Sequence, residues 1–199
     1  MEEGSVRKRP ANDGGAPQTS DPGVHPFPLI LMASSTFESG HLIPVDYTRE
    51  GDDHSPRVGW ANIPRRTHSF ALVCENPEGL NGKPFVHWVL FNIPRVVRGI
   101  PLCELPKGVS KAGRPEEIPG AVQGRNDYGE LGYSGPAGAR GREAQHCHFR
   151  LYALDTTLAL PAATSAREVL RAMQGHIVGY GELVGTYLRR EAEDLRRSA

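Results

Sequence analysis

The chain has 199 residues, with 23 Lys and Arg against 23 Asp and Glu, so its formal net charge at pH 7 is zero. A protein that gathers nucleic acid by general electrostatic attraction carries a basic surplus, and that function class is therefore disfavoured. The 23 glycines and 17 prolines point to many turns, and the longest apolar stretch, Phe27 to Ala33, contains a proline and falls far short of the roughly 20 residues of a membrane span.

Residues 1–24 hold almost nothing apolar and are expected to form a disordered tail. Its basic cluster Arg7-Lys8-Arg9 is offset by Glu2, Glu3, Asp13 and Asp21 and reads as solvated chain. The tail lacks the apolar core of a signal peptide, and Cys74, Cys103 and Cys147 are odd in number with no C-x-x-C pair. Reduced thiols in a cytoplasm are expected, not a disulfide framework or a zinc module.

One domain is expected over residues 25–188. Leu29 to Ala33, Ser69 to Cys74, Val86 to Ile93 and Phe149 to Leu154 are short apolar, β-branched runs separated by turn residues, the pattern of an antiparallel β fold. Val86 to Phe91 is nearly continuous in apolar character, which predicts a strand covered on both faces and an enclosed His87. The Gly-, Pro- and charge-rich stretch from Gly99 to Gln145 is expected to shape the rim of a site. Ser165-Ala-Arg-Glu168 forms a capping box, and Val169, Leu170, Met173 and Ile177 follow at helical spacing. Gly179 and Gly181 should end that helix, Leu183 to Leu188 should form a last strand, and Arg189 to Arg197, within a charged extension over 189–199, should form a short helix with a Glu193–Arg197 pair.

Six segments, in order, give the chain a wider likeness: Gly51-Asp-Asp-His-Ser-Pro-Arg-Val-Gly-Trp60, Pro84-Phe-Val-His-Trp-Val-Leu-Phe-Asn-Ile-Pro94, Gly120-Ala-Val-Gln-Gly-Arg-Asn-Asp-Tyr-Gly129, Gly132-Tyr-Ser-Gly-Pro136, Phe149-Arg-Leu-Tyr-Ala-Leu-Asp155 and Glu182-Leu-Val-Gly-Thr-Tyr187. Over Leu29 to Tyr187 it resembles the phosphatidylethanolamine-binding protein family, in its bacterial and archaeal branch. The resemblance implies a mainly β fold, a sandwich of two antiparallel sheets with peripheral helices, and a small pocket that accepts phosphate-like anions. It also implies an association with modulation of kinases or proteases and a homodimer.

The family's pocket draws on an acidic Asp-Pro-Asp-Ala-Pro segment, a His-Trp strand, a Gly-x-Gly-Pro loop and a second histidine. Here the acidic segment aligns with Asn76-Pro77-Glu78-Gly79-Leu80, His87-Trp88 is intact, and Ser134-Gly135-Pro136 keeps the loop but continues without the usual prolines. Counting back from Phe149, the second histidine position is Gln145 and the aromatic two residues later is Cys147; His146 could substitute only through a one-residue bulge. The candidate ligand-binding set is therefore His87, Trp88, Asn76, Glu78, Ser134, Gly135, Pro136, Gln145 and Cys147.

Donors suit an anion: imidazole, backbone N–H and side-chain amides. With Asn76 in place of a carboxylate, His87 loses a group that would raise its pKa, which predicts a weaker and less pH-dependent anion site. His146 and His148 share a strand face, but two ligands make a weak metal site, so no metal or cofactor is expected. No nucleophile elbow, zinc-hydrolase motif or phosphate-binding loop is present. The expectation is a non-enzymatic small-anion-binding protein; a structural or interaction module with a decayed pocket is the alternative, and a hydrolase a distant third.

Overall fold

The computed structural model describes residues 26–79, 82–97, 100–138 and 144–188. The expected N-terminal tail, the helix at Arg189 to Arg197 and Leu80 lie outside the described residues. In chain order the strands are β1 (Leu31–Ala33), β2 (Val58–Ala61), β3 (Ser69–Asn76), β4 (Phe85–Pro94), β5 (Val96–Val97), β6 (Ile100–Pro101), β7 (Glu104–Leu105), β8 (Val122–Gln123), β9 (Gln145–Leu154) and β10 (Ile177–Tyr187). A single 3-10 turn, Val45–Tyr47, and one α-helix, α1 (Ala166–Ala172), complete the described elements.

Two antiparallel sheets organise the molecule: five strands in the order β10-β9-β3-β4-β8, and three in the order β1-β2-β7, with β5 and β6 forming a separate ribbon. Strands β3 and β4 lie inside the larger sheet, and both of their faces are buried, as their near-continuous apolar sequences require. On one face Phe70, Leu72, Cys74, Leu90, Phe149 and Leu151 meet Val58, Trp60 and Leu105 of the smaller sheet. On the other, Val73, Val89, Phe91 and Tyr152 pack against Val169 and Met173 of the α1 region.

The helix starts where the sequence puts it, because Ser165 Oγ accepts from the Glu168 N–H while the Glu168 carboxylate accepts from the Ser165 N–H. It stops earlier than expected. Gly175 takes φ +82°, a left-handed turn that ends the helix, and Ile177 already belongs to β10.

The outer edge of β10 is covered by the segment that leads into and out of β1: the Ile30 N–H donates to the Tyr180 carbonyl (2.7 Å), and the Ile43 N–H to that of Thr186 (2.8 Å). Gly181 and Gly185 permit this approach, since a Cβ on them would lie 2.5 Å from the Ile30 carbonyl oxygen and 2.5 Å from Ile43 Cγ1.

A candidate anion site around His87

In the β3–β4 pairing, Cys74 lies opposite Trp88 but Glu75 lies opposite Val86, so His87 is the extra residue of a β-bulge. A bulge breaks the alternation of side chains and re-aims one of them. As a result His87 and Trp88, though adjacent, both meet the same 133–134 segment. The Trp88 ring packs edge-on against Tyr133 at 5.7 Å and its indole N–H donates to Gln123 Oε1 (2.8 Å). His87 Nδ1 lies 2.9 Å from the Ser134 carbonyl oxygen, while the Ser134 N–H donates to the His87 carbonyl (2.9 Å).

A carbonyl oxygen only accepts, so Nδ1 carries hydrogen and Nε2 of the neutral ring carries the lone pair. Burial pushes the His87 pKa down; the Ser134 carbonyl, the carboxylates of Asp127 and Asp53, and the Gly135 backbone pull the other way but do not win. The ring is packed beside Phe85 (5.2 Å) and Tyr128 (6.0 Å), with the Arg49 guanidinium 4.3 Å from the centre of the Tyr128 ring.

The loop that holds His87 is itself fixed by polar contacts. Asn126 Oδ1 accepts from the N–H groups of Tyr128 and Glu130, and its amide donates to the Gly132 carbonyl and to Ser134 Oγ. Ser134 Oγ donates to Glu130 (2.7 Å), which together with the Arg49 and Lys111 cations holds the Glu130 carboxyl below its usual range. The Gly135 N–H donates to Asp53 Oδ1 (2.7 Å), and Lys111 Nζ lies 2.8 Å from Asp53 Oδ2. Gly135 cannot be replaced without movement, because a Cβ there would sit 2.4 Å from the Tyr47 carbonyl oxygen. Pro136 is buried beside it, and its carbonyl accepts from the Arg49 N–H (3.1 Å).

The remaining candidates approach from β3 and β9. Asn76 pairs with Phe85 at the end of β3; its Oδ1 accepts from the Glu78 N–H (3.0 Å) and its amide reaches Gln145 Oε1 at 3.5 Å. Glu78 is exposed, with its carboxylate 3.8 Å from His146 Nδ1. The register of β9 against β10 is continuous from Gln145 to Ala153, so the bulge that would bring His146 into the place of Gln145 is absent; the bulge is in β4. Cys147 is buried and within hydrogen-bond reach of Cys74, whose thiol is pushed well up by burial and then by Cys147. On the opposite face His148 Nδ1 sits 3.0 Å from Glu182, and among the described residues no group of three or more metal-ligating side chains gathers.

Of the sequence-derived set, His87, Ser134, Gly135 and Pro136 form one contiguous wall, and Asn76 and Gln145 form a pair beside Phe85. Trp88 and Cys147 lie in the core behind them, and Glu78 lies at the exposed rim. Residue-by-residue reading missed Asp53, Lys111, Asn126, Tyr128 and Glu130. Three of them, Asp53, Asn126 and Tyr128, stand inside the segments that carry the family likeness, which was the available signal.

The chain thus falls in the class of small proteins built on two antiparallel β sheets, with His87 held against the Ser134-Gly135-Pro136 loop. The family model described as phosphatidylethanolamine-binding protein matches residues 33–188, and the chain belongs to that family. It is 40% identical over 162 residues to a UPF0098 protein of Pyrococcus horikoshii, covering 81% of this chain and 78% of that one. It is 36% identical over 110 residues to the UPF0098 protein YbcL of Escherichia coli, covering 54% of this chain and 56% of that one. The crystal structure of YbcL, described as a new member of the mammalian family, superposes with a TM-score of 0.73 at 26% identity over 81% of this chain and 99% of that one. A Chlamydia trachomatis homologue of the family gives 0.70 at 30% identity, with the same coverage. No helix among the described residues is long and apolar enough to cross a membrane.

Proposed function

We propose that the chain is a non-enzymatic binding protein for small phosphate-like anions, centred on His87. His87 carries this proposal: it is an imidazole placed by a bulge and anchored through Nδ1 to Ser134. Phe85 and Tyr128 supply aromatic walls beside the ring. A regulatory role as a modulator of a kinase or protease and a homodimer, which the family likeness suggests, and residence in the cytoplasm, which the cysteine usage suggests, belong to the same proposal.

Titration of the full chain with inorganic phosphate at about pH 6 and pH 8, beside His87→Ala, tests it. The variant should bind at least tenfold more weakly, about 1.4 kcal/mol, with its thermal unfolding checked in parallel. Unchanged binding would refute the central role of His87. One observation favours the alternative of a decayed pocket serving a structural or interaction role: Asn76 and Gln145 are within reach of each other, and Asn76 Oδ1 is already engaged by a backbone N–H. Absence of any phosphate binding by the native chain would select that alternative.

A further inference from the structure

The end of the larger sheet remote from His87 has a character of its own. Strands β3, β4, β9 and β10 meet there, with Ser69 opposite Pro94 and Leu154, and Ile177 also opposite Leu154. The length of β3 separates this end from Asn76 by about 24 Å. The four connections at it, residues 62–68, 94–97, 155–157 and 173–176, carry three arginines (Arg65, Arg66, Arg95) and two histidines (His68, His176) against one carboxylate, Asp155. In a chain whose formal net charge is zero, this is a local concentration of positive charge.

The cluster is prearranged. Arg95 donates from Nη1 to the carbonyls of Arg65 (3.1 Å) and Thr67 (3.4 Å). This holds its guanidinium against the 64–67 turn, which the N–H and hydroxyl of Thr67 close on the Pro64 carbonyl. Asp155 shows what the cluster accepts: one carboxylate oxygen takes Arg66 Nη2 and the other His176 Nδ1, each at 3.0 Å. One carboxylate cannot neutralise three guanidinium groups. The Arg65 side chain has no partner among the described residues, Arg66 is 78% exposed, and Val96, next to Arg95, is 47% exposed.

We propose that this end of the sheet docks an acidic polypeptide segment, whose carboxylates take Arg65 and Arg95 as Asp155 takes Arg66, and whose apolar side chains cover Val96. A guanidinium pairs with a carboxylate through two parallel hydrogen bonds, so the contact has direction as well as charge. Three arginines fall short of the roughly four to eight basic residues that hold a segment on an anionic membrane. A nucleic-acid surface calls for the basic surplus that the chain lacks. The docking is independent of anion binding at His87.

Fluorescence anisotropy of the full chain with a labelled hexaglutamate peptide, beside hexaglutamine, tests it. At about 50 mM salt the acidic peptide should bind about tenfold more tightly than the neutral one, and it should lose about tenfold on going to about 500 mM, because exposed charge pairs are screened. Arg65→Glu removes no contact of the folded chain, so it should weaken binding by about fivefold or more with thermal unfolding unchanged, and His87→Ala should bind as the native chain does. In a nuclear magnetic resonance titration the amides of residues 62–68 and 174–176 should shift while those of 126–136 stay in place. Equal binding of the two peptides, binding indifferent to Arg65→Glu, or shifts confined to 126–136 would overturn the proposal. Tighter binding of phosphatidylserine-containing vesicles or of duplex DNA than of hexaglutamate would overturn it in favour of a lipid surface or a nucleic acid. Salt-sensitive self-association abolished by Arg65→Glu would overturn it in favour of a second copy of the chain.

Discussion

Glu182 offers the most direct test of how the larger sheet is held together. Its Oε1 accepts from His148 Nδ1 (3.0 Å), Arg150 Nε (2.9 Å) and the Tyr180 hydroxyl (3.1 Å), and Arg150 also pairs with Glu75, so one cluster spans β10, β9 and β3. The hydrogen bond from His148, opposed by partial burial and joined by that from Arg150, lowers the Glu182 pKa from 4.5 to about 2. A shift of that size corresponds to roughly 3 kcal/mol at 1.36 kcal/mol per unit. Because the side chain is 32% exposed, solvent screening reduces the expected value to about 1–2 kcal/mol. Glu182→Gln keeps shape and an acceptor but removes the charge, so it should destabilise the protein by that amount at pH 7, which is about 2–8 °C in melting temperature for a chain of this size. The folded pKa is depressed, so the stabilisation is complete above the unfolded value of 4.5 and is lost as pH falls toward about 2. The gap between native and variant proteins in urea unfolding should thus shrink to under roughly half at pH 3. A variant as stable as the native protein at pH 7, or a gap that stays constant from pH 7 to pH 3, would refute the electrostatic origin.

Ala163 holds φ +67°, a conformation costly for a residue with a Cβ, so Ala163→Gly should raise stability by about 0.5–1 kcal/mol in urea unfolding. Gly181→Ala should cost about 1–3 kcal/mol, because its Cβ would meet the Ile30 carbonyl oxygen at 2.5 Å, and hydrogen exchange of the Ile30 and Tyr180 amides should accelerate first. Gln145→His restores the imidazole of the family pattern beside Asn76; if the aligned position lines the site, phosphate should bind about tenfold more tightly below pH 6.5, where an exposed histidine is charged, and unchanged binding in calorimetry would remove Gln145 from the site.

What could be read from the sequence was local, and what could not depended on pairing between distant strands. The Ser165–Glu168 capping box placed the start of α1 because both hydrogen bonds lie within four residues. The end was misjudged because Ile177 continues the helical spacing while also being the first alternating residue of β10, and only the backbone sign at Gly175 separates the two. Strand β9 begins at Gln145 rather than Phe149: Gln145-His-Cys-His looks polar, yet Cys147 on one face is buried core while His146 and His148 on the other meet carboxylates. The bulge at His87 is a property of register, since it exists only in the mismatch between Cys74–Trp88 and Glu75–Val86. The clamp from Asp53 to Gly135 joins residues 82 apart in the chain, beyond any local periodicity.

The departures from the family pattern acquire a common logic once these contacts are known. By the sequence resemblance Asn76 and Gln145 align with a carboxylate and an imidazole, two groups whose charges depend on pH. As an amide pair 3.5 Å apart they keep a polar contact across the same gap without any ionisable group. What remains in the centre is one imidazole, kept neutral by burial and oriented by a carbonyl. The net charge of the chain is zero and Lys111 and Arg49 are already paired with carboxylates, so the proposed site depends on that ring and not on an overall attractive field.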